Sequence, residues 1–307
     1  MIEVLIVGGG SAGLSAALVL GRARRRVVVV DGGQTRNAPA EASHSFFTRD
    51  GTPPAELLRI GRAQLQPYES VEVRTGEVAA IGRTPDGFSA KLADGTTLAS
   101  RMVLLTSGVV DLLPPVEGLA ALWGRSAFTC PYCHGWEVRD QPLAVLNSGP
   151  HALEFMQLLR QWSTDLVLCT NGPSGLDEPQ RQQLSELGVA LRETPIARLE
   201  GRGGQLEQVV FDDGETLPRH ALFVATQMRA RSELARQLGC DTTDQGPIAG
   251  RIVVDRMGRT TAPGVYAAGD GASLMHQVVL AAASGMQAGA AINYELTHGK
   301  PLSLPTE

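Results

Sequence analysis

Two cysteines lie close together in the segment TCPYCHGWE, residues 129–137. A C-x-x-C pair followed by histidine fits three kinds of chemistry: a redox-active dithiol, half of a zinc site, or a haem attachment site. The other two cysteines, Cys169 and Cys240, are far from the pair and from each other in sequence. The elements predicted around Cys130 and Cys133 must therefore decide which chemistry applies.

The first such element is a dinucleotide-binding turn. EVLIVGGGSAGLSAALVL is typical of a strand, a turn and a helix, with Gly8, Gly10 and Gly13 at the G-x-G-x-x-G spacing. Gly8 permits the tight turn, Gly10 lets the backbone approach a pyrophosphate, and Gly13 allows close helix–strand packing. The helix N-terminus at Ser11 favours phosphate charge. A second strand, RRVVVVD, ends in Asp31, where a carboxylate binds an adenosine ribose hydroxyl.

Two distant fragments complete this pattern. TTAPGVYAAGDGA places a predicted strand, 265–268, before Gly269 and Asp270. It resembles the second FAD-binding motif of flavoproteins with two dinucleotide domains, in which the aspartate meets the ribityl and pyrophosphate region. The fragment VLLTSG, which ends at Ser107 and Gly108, fits the short central strand of such proteins. The three fragments together predict one ligand, FAD.

The segment between these fragments has a similar plan. PLAVLNSGPHALEFMQLLRQWSTDLVLC indicates a strand, a turn, a helix and a strand, and LLPPVEG and TTDQGPIAG fit linkers at its borders. We therefore expect an α/β protein with two nested Rossmann-like domains. Residues 1–112 and 246–307 would form a discontinuous FAD-binding domain. Residues 113–245 would form an inserted NAD(P)-binding-like domain that carries the C-x-x-C pair.

Composition limits the remaining classes of protein. The chain has 307 residues, 43% hydrophobic and 19% charged, and a net charge of -5, which argues against a nucleic-acid partner. Four cysteines do not make a disulfide framework, and the start shows no secretory signal, so we expect a cytoplasmic protein. The uncharged run 271–294 is long enough to cross a bilayer, but its polar side chains favour a buried helix and no membrane partner.

In chain order, these motifs resemble those of the low-molecular-weight thioredoxin reductase family over nearly the whole chain. The matching segments are the glycine turn at 8–13, the central strand at 103–108, Gly124 and Arg125, Cys130 and Cys133, the second dinucleotide segment at 143–169, the A-x-G-D motif at 267–270, and the helix from His276. With a flavin scaffold and no export signal, the haem alternative is dropped. Zinc lacks a second pair of ligands, so no metal is expected and the redox dithiol remains. The resemblance also implies a homodimer.

The resemblance implies roles for the dithiol. Cys133 is the sulfur next to the flavin, and Cys130 forms a mixed disulfide with the substrate. The family usually has an aspartate after the second cysteine, where this chain has His134. A histidine can do similar proton transfer, and when protonated it would favour a neighbouring thiolate. The alternative is that His134 only orients the loop.

The inserted domain departs from the family at its nucleotide turn. The segment NSGPHA has Asn147 in place of the first glycine, and Pro150 removes a backbone donor. After the next strand, no basic residue precedes Arg181 to hold a 2′-phosphate, and no acidic residue suits NADH at the strand end. We therefore expect that NADPH is not the electron donor and that a non-nicotinamide carrier replaces it. An unusual but working NADPH site is the alternative.

The terminal helix is a further departure, because it begins His276, Gln277, Val278 where relatives carry Arg-Gln-Ala beside the isoalloxazine. Its N-terminus should still face the flavin. His276 would add a donor there or contact substrate, unless it is a packing histidine.

The loop after Asp31 also carries predicted cofactor-binding residues. In relatives this loop lines the FAD and sometimes the substrate. The residues here are Gly32, Gln34, Arg36, Asn37 and His44.

These departures resemble an atypical branch of the family. It includes dithiol oxidases of the gliotoxin and holomycin type and pyridine-nucleotide-independent thioredoxin reductase-like proteins. The resemblance implies a two-electron relay between FAD and the Cys130–Cys133 pair, followed by thiol–disulfide exchange. In the favoured direction the protein reduces a thioredoxin-like protein or another disulfide. The alternatives are a dithiol oxidase that passes electrons from a small dithiol to oxygen, and a non-catalytic flavoprotein redox sensor.

Overall fold

The structure is a computed structural model that describes residues 2–149 and 151–302, so Pro150 lies outside the described residues. The strands are β1 (Ile2–Val7), β2 (Val27–Asp31), β3 (Val71–Thr75), β4 (Val78–Thr84), β5 (Gly87–Leu92), β6 (Thr97–Leu105), β7 (Val109–Leu112), β8 (Ala127–Phe128), β9 (Leu143–Leu146), β10 (Leu166–Cys169), β11 (Ala190–Arg192), β12 (Ile196–Arg202), β13 (Gln205–Phe211), β14 (Thr216–Pro218), β15 (Ala221–Val224), β16 (Gln227–Ala230), β17 (Thr242–Thr243), β18 (Ile248–Ala249), β19 (Arg251–Ile252) and β20 (Val265–Ala267). The helices are α1 (Ser11–Arg22), α2 (Pro54–Leu65), α3 (Leu119–Leu122), α4 (Pro131–His134), α5 (Ala152–Leu159), α6 (Glu178–Glu186), α7 (Leu234–Gln237) and α8 (Val278–His298), and a 3-10 turn spans Asp270–Ala272.

The first sheet is built on the parallel strands β3, β2, β1, β6 and β20 in that order. Strand β6 pairs with different strands along its length. Its second half pairs parallel with β1 and β20, and its first half pairs antiparallel with β5. Strand β5 in turn pairs antiparallel with β4. Apolar clusters cover both faces of this sheet. Burial on both faces explains why β1 and β2 are continuous apolar runs without alternation.

The second sheet is also parallel, in the order β11, β10, β9, β15, β8. Helices α5 and α6 connect β9 to β10 and β10 to β11. A separate antiparallel sheet, β12-β13-β14, packs into the apolar cluster on one face, and α5 packs into the cluster on the other. The predicted α/β class with two nested Rossmann-like units is confirmed.

The chain passes between the two units through a small mixed sheet. Strand β7, where the chain leaves the first unit, pairs antiparallel with β16, where it returns, and β18 pairs with β16. After β16, Leu234, Ala235, Leu238 and Cys240 already pack into the core of the first sheet. The core of the first sheet thus includes residues that precede position 246, and the domain bounds stay a prediction.

Helices α1 and α8 approach each other through small residues. A Cβ added at Gly285 would lie 2.0 Å from the backbone oxygen of Ala12, and one at Gly289 would lie 2.5 Å from Val19 Cγ1. The uncharged run 271–294 therefore mostly forms a helix that packs against another helix. In the described part of the chain, no helix has both the length and the apolar character needed to span a membrane.

We predict that Gly285→Ala destabilises the protein by at least about 1 kcal/mol, although alanine alone favours a helix over glycine. The added methyl group would meet backbone atoms of α1, which cannot move aside without separating the helices. Urea unfolding measures the effect. Gly82→Ala on β4 is the control, because its Cβ would meet nothing within 4 Å. Equal stability of the two variants would contradict the close helix contact.

Candidate active site

A cavity of about 580 Å³ opens between the carboxyl ends of the first sheet and the C-x-x-C segment. This volume is in the range of ligand-binding cavities. Almost all residues singled out from the sequence line it: Gly8, Gly10, Ser11, Asp31, Gly32, Gln34, Arg36, Asn37, His44, Ser107, Gly108, Cys130, Cys133, His134, Gly269, Asp270, His276, Gln277 and Val278. Gly13 lies behind the turn, where a Cβ would be 1.9 Å from the Gly8 carbonyl oxygen. Its function is close helix–strand packing.

The glycine turn requires small residues for two different reasons. Gly8 has a φ of +111°, and a Cβ there would lie 2.4 Å from the Thr106 carbonyl oxygen. Gly10 has an ordinary φ of -77°, and its Cβ would have only Thr35 Cγ2 nearby, at 3.8 Å. Position 10 therefore faces open cavity, and a side chain there would fill the space a ligand needs. The first turn of α1 has no acidic residue and no side-chain cap, which suits a pyrophosphate.

Asp31 is held in place by the protein itself. Its Oδ1 accepts the backbone N–H of Gly9 at 3.1 Å and of Gly33 at 3.2 Å, and its Oδ2 pairs with the guanidinium of Arg62. A ribose hydroxyl would share these oxygens. The sequence pattern missed Arg62, which lies on α2, and Gly9, whose Cβ would be 2.7 Å from the Asp31 side chain.

Arg36 forms the centre of a polar network at the cavity. Its guanidinium makes two hydrogen bonds to Asp111, each 2.7 Å long, and lies 3.7 Å from Asp270. Asp111 also accepts the hydroxyl of Thr226 at 3.0 Å. The network joins the loop after β2, the crossing strand β7 and the turn before α8. Asp111 was missed by sequence reasoning, since one aspartate in a short strand carries no motif.

His276 forms a hydrogen bond at each of its two ring nitrogens. Arg36 can only donate, so the Nδ1 atom of His276 accepts from it at 2.8 Å. The Nε2 atom therefore carries the hydrogen and donates to the Ser273 carbonyl at 3.0 Å. These two hydrogen bonds favour the packing alternative for His276, and its contact with a flavin or a substrate stays a prediction. His276 fixes the turn before α8.

Cys130 and Cys133 form a disulfide with a Cα–Cα distance of 5.3 Å. Both sulfurs also accept N–H groups from the side-chain amide of Gln277, at 3.4 and 3.3 Å. Cys169 and Cys240 are buried and free, and burial raises the pKa of the Cys169 thiol to about 12. Neither is in a state suited to thiol exchange. Among the described residues, no cluster of three or more His, Cys, Asp or Glu side chains is arranged to hold a metal.

His134 is half-buried and stacks on Phe128, with ring centroids 4.2 Å apart. Burial lowers the pKa of His134 to about 4, and repulsion from His44 acts in the same direction. The imidazole is therefore neutral near pH 7 in the disulfide form. Proton transfer at the dithiol and orientation of the loop both stay predictions for His134, and burial makes this imidazole a weaker base than an exposed one.

The loop at 43–52 contacts the C-x-x-C segment. The ring of His44 lies between two carboxylates, with Nδ1 3.7 Å from Asp50 and Nε2 3.4 Å from Glu137. The Ser45 hydroxyl donates to the Tyr132 carbonyl at 3.4 Å. These contacts link the loop at 43–52 to the segment that carries the disulfide.

Three aromatic side chains are exposed on this loop and on the segment it contacts. Their exposed fractions are 89% for Phe47, 58% for Tyr132 and 65% for Trp136. They present apolar surface beside the redox pair.

Comparisons with known proteins agree with this geometry. A family model described as pyridine nucleotide-disulphide oxidoreductase matches residues 2–287. Thioredoxin reductase tcpT of Claviceps purpurea is 31% identical over 302 residues, which cover 94% of this chain and 92% of that protein. The crystal structure of HlmI is 40% identical, covers 96% of this chain and 92% of its own, and has a TM-score of 0.90. The crystal structure of the oxidoreductase from Agrobacterium tumefaciens is 34% identical and has a TM-score of 0.92. The match covers 97% of this chain and 99% of that chain.

We predict that His134→Asn makes the disulfide form less sensitive to acid. In the wild type the unfolded chain binds a proton at a pKa of about 6.5 and the folded one only near 4. The unfolded state thus binds more protons between these values, so stability falls as the pH is lowered through this window, by about 3 kcal/mol at most. Denaturant unfolding at several pH values measures the difference between the two proteins. The difference in free energy of unfolding between the wild type and His134→Asn should be constant between pH 7 and 8 and should change as the pH falls towards 4. A difference that stays constant down to pH 4 would refute the buried neutral imidazole.

Proposed function

Because the chain belongs to the pyridine nucleotide-disulphide oxidoreductase family and is a thioredoxin reductase-like, flavin-dependent enzyme, we propose that two electrons pass between FAD and the Cys130–Cys133 pair. One observation carries the proposal. The disulfide and the glycine turn at Gly8 line the same cavity, although they lie far apart in the chain. When bound there, FAD supplies the two-electron carrier.

The residues of the cavity fit FAD in the proposed orientation. The N-terminus of α1 at Gly10 and Ser11 would bind the pyrophosphate, and Asp31 the adenosine ribose. Asp270 would meet the ribityl region, and the N-terminus of α8 the isoalloxazine. Arg36 neutralises part of the acidic charge of Asp111 and Asp270 beside this end of the cavity. These assignments keep the disulfide next to the redox-active ring.

The dithiol acts in two steps in this proposal. Cys133 would be the sulfur that faces the bound flavin, and the Cys130 thiolate would form the mixed disulfide with the substrate sulfur. His134 accepts the proton released when a thiol of the pair becomes a thiolate. Its position directly after Cys133 in the chain and its place in the lining of the same cavity support this function.

The nucleotide turn of the inserted domain supports a donor other than NADPH. The Oδ1 atom of Asn147 accepts the Gly149 N–H at 2.8 Å, so a backbone donor that would serve a pyrophosphate is already used. Arg181 donates two hydrogen bonds to Glu193, at 2.8 and 3.1 Å, and lowers the pKa of that carboxyl to about 2. Its charge is thus paired and not available to a 2′-phosphate. A dithiol or a non-nicotinamide carrier would supply the electrons.

The same blocked turn favours one second candidate, a dithiol oxidase. If no nicotinamide delivers hydride, a substrate dithiol can reduce the disulfide by exchange, and FAD in the cavity would supply the carrier that gives the electrons to oxygen. The exposed Phe47, Tyr132 and Trp136 suit either a thioredoxin-like protein or an apolar dithiol. We keep reduction of a disulfide substrate as the first candidate.

Homodimerisation is also part of the proposal. Several apolar side chains are exposed on the turn before α8 and on the helix itself, which favours a covered surface. They are Leu274, Met275, Val279, Leu280 and Met286.

We predict that, without oxygen, a dithiol bleaches the flavin absorbance rapidly and that NADPH and NADH do not. The dithiol reduces the Cys130–Cys133 pair by exchange, and the pair passes the electrons on, whereas the nucleotide turn is occupied by Asn147. Stopped-flow absorbance measures all three reactions. Readmitted oxygen then separates the two candidates: fast recovery indicates the oxidase, and slow recovery the reductase.

The control for this experiment uses matched cysteine variants. Cys133→Ser should abolish bleaching by the dithiol, and Cys169→Ser should behave as the wild type because that thiol is buried in β10. Rapid bleaching by NADPH would contradict the assigned donor. Bleaching of Cys133→Ser at the wild-type rate would contradict the relay itself.

A further inference from the structure

Gln277 makes an unusual use of its side chain. It occupies the N-cap position of α8, and its side chain forms no capping hydrogen bond. Instead its Nε2 atom lies 3.4 Å from Cys130 Sγ and 3.3 Å from Cys133 Sγ. Disulfide sulfurs carry no hydrogen, so the amide must be the donor, and its NH₂ group has one hydrogen for each sulfur.

The backbone leaves this side chain free for the sulfurs. Gln277 is extended, with φ -137° and ψ 145°, and its carbonyl oxygen accepts the Ala281 N–H at 2.9 Å to start the helix. The residue before it, His276, is fixed on both ring nitrogens by Arg36 and Ser273. The amide is therefore directed at the disulfide from an anchored helix start, while the cysteines belong to a segment more than 140 residues away in the chain.

We propose that Gln277 is a catalytic residue of the dithiol, whose amide N–H groups stabilise the thiolate formed when the disulfide is reduced. In that step the S–S bond breaks and takes up two electrons and one proton, which leaves one thiol and one thiolate. The electrons come from the flavin of the proposed function or from an external dithiol. A hydrogen bond from an N–H to an anionic sulfur is stronger than one to a neutral sulfur. Gln277 consequently favours the reduced pair over the disulfide.

This inference rests on the proposed function only for the physiological source of the electrons. It extends the sequence-based expectation for Gln277, which placed this residue at the flavin. The hydrogen bonds to the sulfurs are a property of this chain's own residues, so they are testable without following the flavin.

The test uses Gln277→Leu and a matched control on the same helix. Gln287 also donates its amide N–H to a sulfur, that of Met257 at 3.5 Å, which takes no part in redox chemistry. Gln287→Leu therefore removes the same kind of hydrogen bond from α8 away from the dithiol. Each flavin-loaded protein is equilibrated in dithiothreitol redox buffers, and the reduced fraction of the pair is measured by alkylation and mass spectrometry. The pH dependence of the alkylation rate gives the pKa of the more reactive thiol.

We expect Gln277→Leu to lower the equilibrium constant for reduction about tenfold, which corresponds to ~30 mV, and to raise the thiol pKa by about one unit. Gln287→Leu should match the wild type. Gln277→Glu is the second variant, because a carboxylate of the same length would repel the thiolate and shift both quantities further in the same direction.

The proposal is overturned if the equilibrium constants for reduction of Gln277→Leu and Gln277→Glu lie within twofold of that of Gln287→Leu and their thiol pKa values equal its value. A shift of either quantity in the opposite direction would also overturn it. These readouts do not depend on flavin bleaching. If dithiols fail to bleach the flavin but the two Gln277 variants shift as expected, the proposed relay fails and the assignment of Gln277 stands.

Discussion

The ion pair between Arg36 and Asp111 is the contact on which the rest of the site depends. It is bidentate, with both distances 2.7 Å, and the Asp111 side chain is only 7% exposed. Removal of one partner from such a buried pair leaves an uncompensated charge and is strongly destabilising. Asp111 lies on β7, where the chain leaves the first unit, so the pair ties the loop after β2 to the crossing between the units.

The same guanidinium controls the opposite wall of the cavity. Arg36 holds His276 in one tautomer, and His276 anchors the turn from which α8 begins. Gln277 follows directly and points its amide at the disulfide. A single cation thus sets the geometry of three segments that are distant in sequence. The disulfide thus lies beside an amide donor from the start of α8 and shares its cavity with the neutral ring of His134.

Local spacing explains which parts could be predicted from the sequence. The glycine turn and Asp31 follow from one strand-turn-helix-strand unit, and the G-D pair at 269–270 follows from the end of another strand. The positions of these residues are fixed by the strand and turn in which they lie, so a local sequence pattern is enough to predict them. The α/β class follows in the same way from apolar runs that alternate with helices.

The remaining features depend on contacts between residues that no local pattern connects. Asp111 and Arg62 became recognisable only when the fold placed them against Arg36 and Asp31. The depressed pKa of His134 depends on burial against Phe128, which spacing does not reveal. The predicted border at 246 rests on the linker-like composition of TTDQGPIAG, and composition does not reveal that α7, which precedes this segment, packs with the first sheet.

The central claim is that the cavity holds the flavin ring against Cys133. The most direct test is the absorbance spectrum of Cys130→Ala, in which Cys133 is left as a single thiol beside the flavin. The account predicts a long-wavelength charge-transfer band between the Cys133 thiolate and the oxidised flavin, which disappears when acid protonates the thiolate. Cys133→Ala should show no such band. A band in Cys133→Ala, or none in Cys130→Ala at any pH at which the protein is folded, would contradict the account.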